Sequence, residues 1–369
     1  MCSLSQHWTC FQQALLQLPE AAFPQGLTPL HLRFMWLLDL LQVQRFVSGP
    51  GAQWRGRPAA DRRALLRAFL AKALFNFPTT EALRERLQVD PSLRRLCGWE
   101  FRRDVPSAAT FSRAFREFAG VKLLDRIHAA LVEEHLAEIL VFHVSRDSTH
   151  IEARERPAPK ETPPPAPPKK RGGPPRDEPR RWAFETRIQC QARTAPEQTD
   201  ALLAALPTHC TYASHKKKNG NGRFWKGYKL HTDVGDEGIP IFSVTTAASL
   251  HDSQLAIPMA RKTASRVTCL YELMDAAYDA DEIFAAIRDL NHVPIIAQNP
   301  HPHEKRPPME PDRAKRFFHR SASERFHALL KDNHGGRTLR VRGHPKVHLH
   351  LMLGVVVIFA AIVQGWAAH

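Results

Sequence analysis

The sequence predicts an α/β protein in which an all-helical N-terminal region leads into a mixed sheet flanked by helices. Three observations carry this. Apolar residues recur at helical spacing through the front third, and the back half switches to β-rich runs alternating with helical ones. Between Pro157 and Trp182, ten of 26 residues are proline and the charge is +4, which excludes helix or sheet interior and marks an extended linker. The chain of 369 residues thus divides into a helical region over 1–138 and a second domain over 139–369, interrupted at 157–182.

In order, Asp61 is placed to cap a helix over RRALLRAFLAKALF, with Leu65, Phe69 and Ala73 on one face. Thr79 is placed to cap TEALRERL. After Val105-Pro106, Ser107 precedes AATFSRAFREF, in which Phe111, Phe115 and Phe118 form a stripe and Arg113 and Arg116 lie off it. A helical bundle explains this stripe. A basic helix after a tight turn also fits the reading helix of a helix-turn-helix.

The run LVFHVSRD (140–147) reads as a strand ending at Asp147. FWKGYKLHTDV and GIPIFSVTTA read as a hairpin turned at Gly235–Gly238. A helical stretch from Asp252 to Thr263 follows, then the strand VTCLYELMD ending at Asp275, the helix DADEIFAAIRDL and the strand VPIIA. KRFFHRSASERFHALLK reads as one helix stopped by Gly335-Gly336. The 13 apolar residues Leu351–Val363 fall short of the roughly 20 that span a bilayer and read as a buried core helix.

Charge narrows the function classes. Fifty-two Lys and Arg against 37 Asp and Glu leave +15, with a pI near 9.9, so a polyanionic partner is expected, nucleic acid first. The 43% apolar content excludes a disordered basic tail. Six cysteines without a CxxC pair disfavour zinc fingers and a disulfide framework. The start MCSLSQHWTCFQQ lacks the features of a signal peptide, so a cytoplasmic, nucleoid-associated protein without membrane contact is expected. His301-x-His303 and His348-x-His350 are read as surface or core histidines rather than metal ligands.

The segment His215–His231 holds six basic residues and no acid. Lys216, Lys217, Lys218, Arg223, Lys226 and Lys229 are candidate contacts to DNA phosphates, and Trp225 is a candidate for stacking on a base. A solvated hairpin with its aromatics facing the core is the alternative.

Three acids stand where chemistry would put them: Asp147 and Asp275 at strand ends and Glu324 in the last helix of the unit. Carboxylates from neighbouring strand ends and a flanking helix can converge, and hard oxygen donors suit Mg²⁺ or Mn²⁺. Two such ions would serve an in-line displacement at a phosphodiester. On a helical wheel of about 100° per residue, Phe317, Arg320, Glu324 and Lys331 share one stripe. Phe318, Ala322, Phe326 and Leu329 form a separate apolar stripe for packing. An ordinary i, i+4 surface pair explains Arg320 and Glu324 equally well.

Together, SRDSTHIEARERP, GYKLHTDVGDEGIPIFSVTTAASLHDS, MDAAYDADEI and RSASERFHALLK resemble the DDE transposases of bacterial insertion sequences. The subgroup marked by Tyr-x2-Arg-x3-Glu-x6-Lys is closest, with Phe317, Arg320, Glu324 and Lys331 at those positions. The front third is similar to the N-terminal helical region of the same proteins, so the resemblance covers about residues 60–360.

The resemblance implies an RNase H-like mixed sheet carrying Asp147, Asp275 and Glu324 as catalytic, metal-binding residues. Two Mg²⁺ or Mn²⁺ ions per site are implied, with Arg320 and Lys331 on DNA phosphates. The implied reaction is cleavage at the element ends by metal-activated water, then attack of the freed 3′-hydroxyl on target DNA. The implied partners are double-stranded DNA, both terminal inverted repeats and target, and a second copy of the chain. Phe317 in place of Tyr loses a hydroxyl, and Ala277 stands where the family often has Gly. A related nuclease that cuts without joining, and a decayed copy that only binds DNA, are the alternatives.

Overall fold

The computed structural model describes residues 26–48, 60–159, 185–216, 222–299 and 308–365. Among the described residues six α-helices come first: α1 (Pro29–Leu41), α2 (Arg62–Leu74), α3 (Thr80–Val89), α4 (Pro91–Cys97), α5 (Ala108–Gly120) and α6 (Leu123–Leu136). Asp61, Thr79 and Ser107 cap α2, α3 and α5, each accepting a backbone N–H from the first turn. Phe69 meets Phe111, Phe115 and Phe118 edge-on, so the aromatic stripe of α5 is core, while Arg113 and Arg116 stay exposed. The connection from α4 to α5 runs over Gly98–Ser107 and holds a 3-10 turn, longer than the turn of a helix-turn-helix.

The sheet runs β2 (Thr211–Lys216), β3 (Gly222–Val234), β1 (Leu140–Glu152), β5 (Thr268–Met274), β6 (Val293–Ile296), with β4 (Pro240–Ala247) also on β3. β1 is antiparallel to β3 and parallel to β5, and β6 is parallel to β5. The helices of this half are α7 (Arg187–Arg193), α8 (Thr199–Ala204), α9 (Ala256–Ala264), α10 (Asp281–Asp289), α11 (Pro311–Phe317), α12 (Ser321–Asn333) and α13 (His344–Val363). A mixed sheet with helices behind a helical region is the expected RNase H-like arrangement.

Three expectations are corrected. Asp147 does not end its strand: β1 continues to Glu152, because its antiparallel pairing with β3 extends to Glu152↔Gly227 after the parallel pairing with β5 stops. The helix over KRFFHRSASERFHALLK is broken by a 3-10 turn at Phe318–Arg320. There the Arg320 carbonyl accepts the Ser323 hydroxyl at 2.9 Å, and Ser145 Oγ lies 2.9 Å from the same oxygen, which pins the turn to β1. The tighter turn rotates Phe318 out of the apolar stripe and leaves it 78% exposed, while Ala322 and Phe326 pack as expected. The third correction adds elements: β2, α7 and α8 stand where hydrophobic periodicity marks none.

The apolar run near the C-terminus lies within α13, a helix of 20 residues. Its length and composition would suit a membrane span, but it is buried against α2, α5, α6, β4 and α12. Gly354 lets α12 approach, because a Cβ there would collide with Leu330. The helical region, the sheet and α13 thereby share one hydrophobic core. The proline-rich stretch lies outside the described residues from 160 onward, as do His301 and His303. His348 bonds to Asp125 and Thr245, and His350 to the Gly335 carbonyl.

Candidate active site

β1 and β5 bring two acids together. The last rung of their parallel pairing is Ser145↔Leu273, so Asp147 and Asp275, each two residues on, stand side by side where the pairing ends. Asp147 Oδ1 accepts the Ser148 amide at 2.8 Å, and Asp275 caps the following turn by accepting the Ala277 amide at 2.9 Å. Burial, with repulsion from Asp275 and Asp252, pushes the Asp147 carboxyl up to about 6, against the pull of the Ser148 amide and Arg320. Asp275 is raised too, by burial and then by Asp252, against the Ala277 amide and Arg320.

Glu324 comes from the other side. It lies in the first turn of α12, exposed, and packing of α12 on β1 sets it beside the strand. Arg320 stands between the acids: Nη2 is 2.5 Å from Glu324 Oε1 and Nη1 is 3.6 Å from Asp147 Oδ2. Its guanidinium also lies 5.8 Å from the Phe317 ring. Asp147, Glu324, Lys331 and Arg337 line one cleft of 560 Å³. Two other groups of three donors, His143–Asp236–His319 and Cys269–Glu272–His292, have ligand atoms within 4.8 Å of one another. Among the described residues the Asp147–Asp275–Glu324 set is not gathered that tightly.

Sequence reasoning missed a fourth acid. Asp252, in the 3-10 turn after β4, packs against the turn that follows Asp275. It is half-buried, and Ser148 and Lys229 both bond to it. Burial would raise its carboxyl, but His231, Lys229 and the Ser148 hydroxyl outweigh that and hold it below its ordinary value. Tyr278 is buried beside these acids, and its hydroxyl has no hydrogen-bond partner among the described residues. The signal was present in LHDS and AAYD, but a histidine-aspartate pair after a strand reads first as a turn.

Beneath the acids, the fully buried Arg146 joins three strands. It makes a two-pronged bond to Asp233 at 2.8 and 2.7 Å and reaches Glu272 at 2.7 Å, and His292 bonds to Glu272 at 2.8 Å. Burial pushes Glu272 up, but Arg146 and His292 outweigh it and leave the carboxyl below its usual range. Arg146 and Asp147 point to opposite faces of β1, so this network fixes the strand from which Asp147 projects.

The predicted DNA contacts divide. Lys331 lines the cleft, its amine lowered by burial and by Arg337, and Arg320 bridges two of the acids that line it. Lys229 does not face outward: its Nζ bonds to Asp252 Oδ1 at 2.8 Å and to the Leu250 carbonyl at 2.9 Å, because this position on β3 faces the turn after β4. Lys226 is partly exposed, and Trp225 stands 5.6 Å from the His150 ring. Lys216 and Arg223 lie on β2 and β3, and Lys217 and Lys218 fall outside the described residues.

Two family models match the chain. One, Transposase domain (DUF772), covers residues 30–117, the helices α1 to α5. The other, Transposase DDE domain, covers residues 145–360, more than half of the chain and all three acids.

The chain belongs to the DDE transposase family. It is an insertion-sequence-type transposase, an enzyme of phosphoryl transfer on DNA. No curated protein and no solved structure matches it. DDE transposases use divalent metal, and the donors here fit one. Asp147 and Asp275 are crowded carboxylates whose mutual repulsion a hard cation relieves, and Tyr278 Oη is a buried polar atom without a partner beside them.

Proposed function

We propose that the transposase cuts DNA at the terminal inverted repeats of its element and joins the freed ends to target DNA. Asp147, Asp275 and Glu324 hold two divalent cations, Mg²⁺ or Mn²⁺. The observation that carries this is the placement of Asp147 and Asp275 side by side, each two residues past the last rung between β1 and β5, with Glu324 across Arg320 from Asp147. Divalent cations bound there stabilise charge on the oxygens entering and leaving phosphorus.

The remaining work belongs to the chain. Ser148 and Ala277 orient the two aspartates through their amides, leaving the outer carboxylate oxygens free to ligate. Arg320, whose guanidinium lies between Asp147 and Glu324, would offer its N–H groups to a non-bridging phosphate oxygen. Lys331, across the cleft, neutralises a neighbouring phosphate. In the first step a water oxygen bonds to phosphorus and the element's 3′-oxygen leaves with a proton as a hydroxyl. In the second, that hydroxyl oxygen bonds to a target phosphorus, and the target's 3′-oxygen leaves. Each step exchanges one phosphorus–oxygen bond for another, so one site serves both. Two element ends call for a homodimer on the DNA, acting in the cytoplasm on the nucleoid.

A supercoiled plasmid carrying the sequences that flank the coding region, incubated with the protein and Mg²⁺ or Mn²⁺, tests this. Nicks at the repeat ends together with joined products are expected. Cleavage without joining makes the protein a nuclease, and binding without either makes it a DNA-binding relic.

A further inference from the structure

Away from the acids, α2, α3, α5, the segment between α12 and α13 and the first turns of α13 line a second cleft, of 380 Å³. Its charged lining has one sign. Lys72, Arg340, Arg342 and Lys346 face it and no carboxylate does. Lys72 is the telling member: burial alone lowers its amine to about 8, with no acid close enough to oppose the shift. Lys72 is half-buried, and a partly desolvated cation without a counter-ion is unfavourable, a cost that an incoming anion removes. The first residues of α3 and α5, Thr80 and Ala108, also border the cleft and add the positive ends of two helix dipoles.

The path of the chain between the two clefts points to the anion. Gly336 and Arg337 line the catalytic cleft, while Arg340 and Arg342 line the second one. Arg337 and Arg340 are three residues apart, so their Cα atoms are separated by no more than about 11 Å, which is roughly three base pairs of duplex rise. One duplex can therefore lie across both clefts. We propose that Lys72, Arg340, Arg342 and Lys346 form a second phosphate-binding cleft that grips the backbone of the element-end duplex a few base pairs from the scissile bond. This rests on the reading of Asp147, Asp275 and Glu324 as the cutting centre.

The test is fluorescence anisotropy with a duplex of about 30 base pairs and arbitrary sequence, titrated across salt, since backbone contacts are sequence-independent. The variant Arg340→Gln/Arg342→Gln/Lys346→Gln changes only exposed or half-exposed side chains, so its melting temperature should match wild type. Its affinity should fall about tenfold or more at low salt, and the log–log salt slope should shrink by about 0.9 for each phosphate that is no longer neutralised. Lys72→Met should weaken binding while raising the melting temperature of the free protein, a pairing that a purely structural lysine does not produce. Variants that bind with wild-type affinity and slope overturn the proposal. So does a cleft that takes inorganic phosphate, seen as a melting-temperature rise abolished in the triple variant, while DNA binding is untouched. If instead the cleft variants lose affinity but Asp147→Asn still cuts like wild type, the second cleft stands and the cutting centre fails.

Discussion

Arg320 Nη1 lies 3.6 Å from Asp147 Oδ2, so a fixed cation already sits beside the strand carboxylate proposed to hold the metal. The same guanidinium holds Glu324, and it competes with a divalent ion for both acids. Arg320→Gln should therefore raise Mn²⁺ affinity by about fivefold, near 1 kcal/mol for so accessible a pair, while DNA cleavage falls. Calorimetric titration of Mn²⁺ checks the first part. Unchanged or weaker Mn²⁺ binding contradicts the competition.

Arg146 should be the least replaceable residue of the sheet. Arg146→Met leaves Asp233 and Glu272 buried without their counter-ion and should cost about 3–5 kcal/mol in urea unfolding. A loss below about 1 kcal/mol would show that the two acids find other partners, such as Thr263 and His292.

The sequence made the local elements legible where one signal dominated. Caps at Asp61, Thr79 and Ser107 and the alternating hairpin strands are decided by residues within a few positions. That Asp147 and Asp275 come together was legible from the motifs around them, although Asp147 lies inside β1 and not at its end. Long-range effects were not. The extension of β1 to Glu152 depends on pairing with β3, and the break at Phe318–Arg320 depends on Ser145 of another strand. Lys229 looked like part of a basic surface because its partner Asp252 lies 23 residues away in sequence.

That partner gives a separable prediction. Lys229→Met should leave the salt slope of DNA binding unchanged, because the amine is engaged inside the protein, whereas a phosphate contact would lower the slope by about 1. Asp252→Asn should weaken Mn²⁺ binding about tenfold, the usual scale for a group that orients or charges a metal site without ligating it. A reduced slope in Lys229→Met restores the lysine to the DNA surface.

Four buried histidines set the acid limit of the fold. Burial lowers His128 and His327 to about 3 and His231 and His350 to about 4, with neighbouring charges secondary. The unfolded chain takes up protons near the ordinary value of 6.5 and the folded chain does not, so their contribution is full above that pH and lost as pH falls through it toward 4. Urea unfolding at about pH 7.5 and 5.5 should differ by about 5 kcal/mol: the four histidines contribute about 5.5, near 1.4 each, and Asp147, raised to about 6, offsets about 0.8 by taking up a proton in the fold. Equal stabilities would mean that these rings are protonated in the fold.

The most direct measurement of the central claim compares wild type with Asp147→Asn, Asp275→Asn and Glu324→Gln in the plasmid assay, at matched DNA affinity and with melting temperatures recorded. Asp147→Asn removes a crowded, raised carboxyl and should melt no lower than wild type without metal, so lost activity cannot be blamed on unfolding. All three variants should bind DNA and neither nick nor join it. If any of the three cuts at the wild-type rate, that acid is not part of the catalytic centre. If all three do, the centre lies elsewhere.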